Sequence, residues 1–200
     1  MPYPTQIFQE ELRLQLAAVY PHPIPIKKEW SSLTGNENKG LYSPRIDVAV
    51  GPFSIVQGES LGDQYDDLMD KSRNFIECLI HYHRENVLNY QIYYDQIGEA
   101  PVFLDFEQLK YVNFNSRCLL AIEIENKVNR KHLLGGGINA CVLGRLGIAV
   151  GFSKEMVTAF VKLQAYWYFL ERAKKLHISS YNLLILSPDQ LLDCIKHSSH

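Results

Sequence analysis

The ten residues Cys118-Leu119-Leu120-Ala121-Ile122-Glu123-Ile124-Glu125-Asn126-Lys127 constrain the fold more than any others in the chain. An almost unbroken apolar run that becomes strictly alternating reads as a central strand, buried at first and emerging at its end. Alternate side chains of a strand share a face and lie about 6.5–7 Å apart along it, so Glu123, Glu125 and Lys127 are expected in one row, with Ile122, Ile124 and Asn126 opposite. Charge at the end of a buried strand is costly unless it is paired, hydrated or bound to a metal.

Around this strand the pattern alternates between helix and strand periods. Thr5 to Tyr20 predicts an amphipathic helix, with Phe8, Leu12, Leu16 and Val19 on one face, ended by Pro21, Pro23 and Pro25. Residues 27–43 have turn composition and read as an exposed loop. Arg45-Ile46-Asp47-Val48-Ala49-Val50-Gly51 reads as a strand carrying one carboxylate. A long helix from about Gln64 to Val87, a tyrosine-rich stretch at 90–94 and a short strand at 101–104 are expected next. Gly135 to Leu146 predicts a helix entered through a glycine run, followed by a buried strand at 147–152. A helix from Lys154 to His177, a strand at 181–186 and a short closing helix complete the chain. This alternation predicts a single α/β domain over residues 1–200 containing parallel strand pairs.

Composition narrows the function classes. With 46% hydrophobic and 21% charged residues, the chain is of the globular type. No apolar run approaches the roughly 20 residues of a membrane span, so the expectation is a cytosolic, cytoplasmic protein with no membrane partner. Cys78, Cys118, Cys141 and Cys194 have no metal-knuckle or redox-pair spacing and are expected as reduced, mostly buried thiols. The net charge of −2 is unevenly spread. Residues 59–107 carry 3 basic and 11 acidic side chains, whereas residues 108–200 carry 12 and 6. An anionic partner therefore remains compatible, provided the acidic block faces away from it.

Asp47 on the neighbouring strand is the obvious partner for Glu125. Mg²⁺ favours oxygen ligands and takes only one or two protein carboxylates beside substrate phosphate oxygens. A cation held between these two residues could polarise a scissile phosphate and acidify an attacking water. Lys127, close to the same point, could orient or deprotonate that water or stabilise transition-state charge.

On Asp47 in Arg45-Ile46-Asp47-Val48-Ala49-Val50, and on Glu125-Asn126-Lys127 closing its strand, the sequence resembles the PD-(D/E)xK nuclease superfamily. The order of elements is similar too: leading helix, Asp-bearing strand, strand ending in ExK, helix, strand. The resemblance covers about 1–58 and 108–152. It implies a restriction-endonuclease-like mixed central sheet flanked by helices, interrupted by an acidic helical insertion at about 59–107. It further implies Asp47 and Glu125 as ligands of Mg²⁺ or Mn²⁺, Lys127 as the water-activating lysine, and Glu11 or Glu10 of the leading helix as a further site residue. Three features depart from the signature. Its proline is Pro44 rather than a neighbour of Asp47, 77 residues separate Asp47 from Glu125, and Glu123 is an extra carboxylate, either a second-metal ligand or the partner of a basic side chain. Asp105, 20 positions before Glu125, competes with Asp47, which has the better strand context.

Arg130 and Lys131, in the basic cluster after Lys127, are candidate contacts to nucleic-acid backbone phosphates. The expected function is Mg²⁺-dependent hydrolysis of DNA phosphodiester bonds, with restriction-type cleavage as the first subtype. Cutting both strands with one site per chain implies a homodimer, most simply with two-fold symmetry. Two alternatives stand beside it. One is a catalytically inactive nuclease-fold module for binding or assembly. The other is a nucleotide-handling protein using Gly135-Gly136-Gly137, although no GK[ST] follows that run.

Overall fold

The computed structural model describes residues 4–32, 44–54, 61–127, 129–175 and 180–198. Helix α1 (Pro4–Val19) leads into strands β1 (Ile26–Ser31) and β2 (Arg45–Val50). Four helices follow: α2 (Gly62–Lys71), α3 (Arg73–Asn89), α4 (Ile92–Asp95) and α5 (Phe106–Leu109). The chain then alternates through β3 (Cys118–Glu125), α6 (Arg130–Leu143), β4 (Gly144–Gly151), α7 (Lys154–Arg172), β5 (Leu183–Leu186) and α8 (Pro188–Ser198). The five strands form one mixed sheet in sequence order. β1, β2 and β3 are antiparallel neighbours, whereas β3–β4 and β4–β5 are parallel pairs joined through α6 and α7.

Side-chain alternation divides the interior into two layers. Val48, Val50, Leu120, Ile122, Leu146 and Ile148 pack with α1, α2, α3 and α8. Ala49, Ala121 and Ala149 face α6 and α7. The small residues on this second face let α6 lie close to the sheet. A Cβ on Gly147 would stand only 2.8 Å from the Ala140 backbone carbonyl carbon. Gly147→Ala is therefore expected to destabilise by about 1–3 kcal/mol through overpacking. An unchanged melting temperature would show that α6 yields without cost.

Several expectations need correction. Residues 26–31 form an edge strand rather than loop, because pairing with β2 outweighs a segment whose only buried side chain is Trp30. Residues 33–43 lie outside the described residues. The helix expected from 64 to 87 is two helices broken at Ser72, which shares a 3.0 Å hydrogen bond with the Tyr20 hydroxyl and donates to the Leu68 carbonyl at 2.8 Å. Residues 101–104 are not a strand. The glycine run sits inside α6, which starts at Arg130 under an Asn129 cap, so it is neither an entry turn nor a phosphate loop. Instead, Gly137 makes room for Trp167, and Gly136 lies against the Glu123 side chain.

Of the helices between β2 and β3, α2, α3 and α5 join the layer on one sheet face, whereas α4 places Tyr94 against α7 in the other. Phe75, Ile76 and Leu79 of α3 are fully buried in the former. Asn86 donates to the Ile185 carbonyl at 2.9 Å, and His83 Nδ1 accepts from the Ile185 N–H at 3.1 Å. Burial pulls the His83 pKa down to about 4, so it serves as a neutral acceptor. A disulfide joins Cys78 of α3 to Cys194 of α8, correcting the expectation of four thiols; Cys118 and Cys141 remain free and buried. Many of the acidic charges here are paired internally: Asp66 holds the fully buried Arg145 at 2.6 Å, and Asp70 holds Lys110 at 2.5 Å.

Candidate active site

The antiparallel ladder between β2 and β3 ends at the Val48–Ile122 pair, while β2 stays paired with β1 as far as Arg45. One residue beyond Val48, the Asp47 side chain takes over from the backbone. Its Oδ2 accepts from the Ile124 N–H at 2.7 Å, bridging β2 to β3 between the positions of Glu123 and Glu125. Its Oδ1 accepts from Gln9 Nε2 of α1 at 2.8 Å. Each carboxylate oxygen has two acceptor positions, so both keep capacity for a further partner.

The electrostatics show that these carboxylates crowd one another. Burial pushes the Asp47 pKa up to about 6, against the Ile124 hydrogen bond and with added repulsion from Glu29 and Glu125. Glu123 is raised well above the usual carboxylate range, by burial first and then by Asp47, Glu125 and Glu29. Its Oε1 is buried with no hydrogen-bond partner among the described residues, and α6 covers it at Gly136, where a Cβ would lie 3.4 Å from Oε2. Glu125 is raised by burial, with His132 pulling the other way. Among the described residues, no basic side chain forms an ion pair with Glu123, the extra carboxylate.

Glu29 of β1 joins the same field from a strained backbone. Its φ of 48° is unusual for a residue with a Cβ. It interrupts the regular β1–β2 pairing opposite Asp47, and Gln9 Nε2 lies 3.5 Å from its Oε1.

Not every expected residue reaches this point. Glu11 is exposed and accepts from Gln15 at 2.9 Å. Glu10 is bound by Arg13 at 2.6 Å and Lys28 at 2.5 Å, which hold its pKa down at about 2. Two residues of an α-helix are about 200° apart, so Gln9 on the site-facing side leaves Glu11 facing away. Asp105 is exposed and caps α5 by accepting from the Gln108 N–H at 2.8 Å, leaving Asp47 as the carboxylate beside Glu125.

Lys127 does not continue the row of Glu123 and Glu125. The strand ends at Glu125 and the chain bends, with the Asn129 N–H donating to the Lys127 carbonyl at 2.9 Å. The Lys127 side chain is exposed and forms no ion pair among the described residues. Arg130 and Lys131 are exposed in the first turn of α6, directly after the bend.

Sequence reasoning passed over Gln9, Glu29 and His132. Gln9 had a signal, being polar on the apolar face of α1 beside Phe8 and Leu12. His132 belonged to the basic cluster already noted, whereas Glu29 lay in a segment read as loop.

Among the described residues, no group of three or more His, Cys, Asp or Glu side chains forms a ready-made metal cage. Mg²⁺ does not require one, since it keeps several waters and takes one or two carboxylates. The oxygen-only donor set and the unpartnered, buried Glu123 Oε1 suit a hard cation. Compared with known protein families, curated proteins and solved structures, the chain matches none.

Proposed function

We propose that this chain is a divalent-metal-dependent nuclease of restriction-endonuclease-like architecture that hydrolyses DNA phosphodiester bonds. The observation that carries the reading is Asp47 bridging to Ile124 N–H where β2 and β3 part, with Glu125 and Glu123 on either side. The antiparallel β1–β2–β3 meander followed by α6 and a parallel β4 supports the architecture.

In this reading Asp47 and Glu125 hold Mg²⁺ or Mn²⁺, with Glu123 as an auxiliary carboxylate. The cation, when bound, supplies positive charge that polarises the scissile phosphate and acidifies water. The chain's own groups do the positioning. Gln9 and the Ile124 N–H fix the Asp47 carboxylate from two directions. Lys127, on a flexible four-carbon stem, reaches from the bend to orient or deprotonate the attacking water. Arg130 and Lys131 hold flanking phosphates. One site per chain cuts one strand, so double-strand cleavage calls for a homodimer.

The test is incubation of the purified chain with plasmid DNA in Mg²⁺, Mn²⁺ or EDTA. Nicking or linearisation with either cation and none in EDTA is the expected result. DNA binding without cleavage under any divalent ion overturns the enzymatic reading and leaves a nuclease-fold binding module. Lys127, exposed and without an ion pair among the described residues, is the observation that favours that second reading.

A further inference from the structure

A groove of about 810 Å³ lies between α6 and α7. Its Arg130 and Lys154 end lies at the end of the sheet where β3 finishes at Glu125, because both helices begin there. Glu125 is in register with Gly151 on β4, and the Phe152 N–H donates to the Glu125 carbonyl at 3.0 Å. α7 begins two residues later at Lys154, and α6 begins five residues after Glu125 at Arg130.

The lining combines cations with apolar and aromatic surface. Arg130, Lys154 and Lys162 stand against a single acidic side chain, Glu155. None of the three cations forms an ion pair among the described residues; Lys162 rests over the Tyr93 ring at 4.3 Å. Along α7, Lys154, Thr158, Lys162 and Tyr166 recur every four residues and so form one stripe, about 18 Å long at 1.5 Å per residue. At its far end Tyr166 is 52% exposed and stacks near-parallel on Phe169, which is 43% exposed. Leu134, 41% exposed, offers apolar surface from α6.

We infer that this groove holds a single-stranded DNA segment leading away from the scissile phosphate, with its phosphates along Lys154 and Lys162 and a base stacked at Tyr166. This rests on the nuclease reading for its direction from the carboxylates. Three cations against one carboxylate select an anionic occupant. The exposed aromatic face selects unpaired bases, because stacking platforms interleaved with cations bind single strands without sequence preference. The volume is that of a pocket for a small ligand or a short strand segment, and an intact duplex with its bases covered does not enter it.

The test measures anisotropy of a fluorescent oligothymidylate with the full chain in EDTA, which separates binding from cleavage. A duplex of the same length serves as comparison. Tyr166→Ala is expected to weaken oligothymidylate binding about tenfold. Lys162→Glu is expected to weaken it as well and to reduce the salt dependence by about one counterion. Duplex binding should fall much less, and melting temperatures should drop by no more than the few degrees that loss of the contacts to Tyr93 and Phe169 costs. The inference is overturned if the wild type does not bind the oligonucleotide or if both variants bind as it does. It is equally overturned if the variants convert a dimer of the protein alone into a monomer, which would make the groove a self-association face. Cleavage is scored separately. Groove-dependent binding without cleavage by any divalent ion leaves the groove standing and removes the catalytic reading. Cleavage with unaltered binding by the variants does the reverse.

Discussion

Lys127→Ala is expected to slow Mg²⁺-dependent DNA cleavage by about 10²–10⁴-fold, the usual range for a positioned proton-transfer group. DNA binding and the melting temperature should hardly change. The side chain is exposed, makes no ion pair among the described residues and lies beyond the last residue of β3, so its removal opens no cavity and strands no partner. Surface changes of this kind usually alter stability by less than about 0.5 kcal/mol. Lys127→Arg separates two roles for the amine. A guanidinium keeps the charge but does not lose its proton, so it restores activity in part if Lys127 stabilises charge and fails to do so if Lys127 takes a proton from water. Cleavage by Lys127→Ala at the wild-type rate, in a preparation shown to be free of other nucleases, would remove this residue from the chemistry.

The parts of the site that were legible in sequence are those where charge interrupts a strong pattern. Asp47 stands in a β-branched alternation, and Glu123 and Glu125 follow five apolar residues, so burial of carboxylates could be read directly from the chain. Gln9 was less legible because the resemblance drew attention to charged residues, whereas the helix turns the neutral amide toward Asp47. β1 was hidden for a physical reason. An edge strand covered on one side needs few apolar residues, and Ile26–Ser31 buries only Trp30.

Tertiary partners account for the other misreadings. The glycine run looked like an entry turn because glycine lowers helix propensity, by about 1 kcal/mol per residue relative to alanine. In the fold, Gly137 leaves space for Trp167, a contact between elements that local pattern does not encode. The break at Ser72 depends on Tyr20, 52 positions away, and the Cys78–Cys194 bridge spans 116 positions. Neither spacing carries a local signature. The same long-range closure ties the acidic helices to α8 and to the end of β5, so the block that looked like an appendage helps to cover the sheet behind the carboxylates.

The second large effect expected is a pH-dependent instability of the metal-free protein, relieved by divalent cation. For Asp47 the folded-state pKa rises from 3.8 to about 6, and burial is the main cause. Between these values the folded protein binds more protons than the unfolded chain, so stability falls as pH rises through that window. The contribution from Asp47 is complete below about pH 4 and is lost above about pH 6, a difference of about 3 kcal/mol. Glu123, raised further by burial and by Asp47, Glu125 and Glu29, carries the same loss to higher pH. On the proposed reading, a cation held by the ionised carboxylates would reverse the trend. At 100 times its Kd it adds about 2.7 kcal/mol, which for a chain of this size raises the melting temperature by roughly 5–11 °C. Mn²⁺ should therefore stabilise the protein strongly at pH 8 and weakly at pH 5. Glu123→Gln should melt progressively higher than the wild type as pH rises in EDTA, because the amide removes a buried carboxyl that resists ionisation, and it should gain less from Mn²⁺. Differential scanning fluorimetry across pH 5–8, with and without Mn²⁺, measures both variants of the effect. Equal Mn²⁺ shifts at pH 5 and pH 8, or a constant offset between Glu123→Gln and wild type, would mean that the Asp47–Glu123–Glu125 cluster is not where the cation binds.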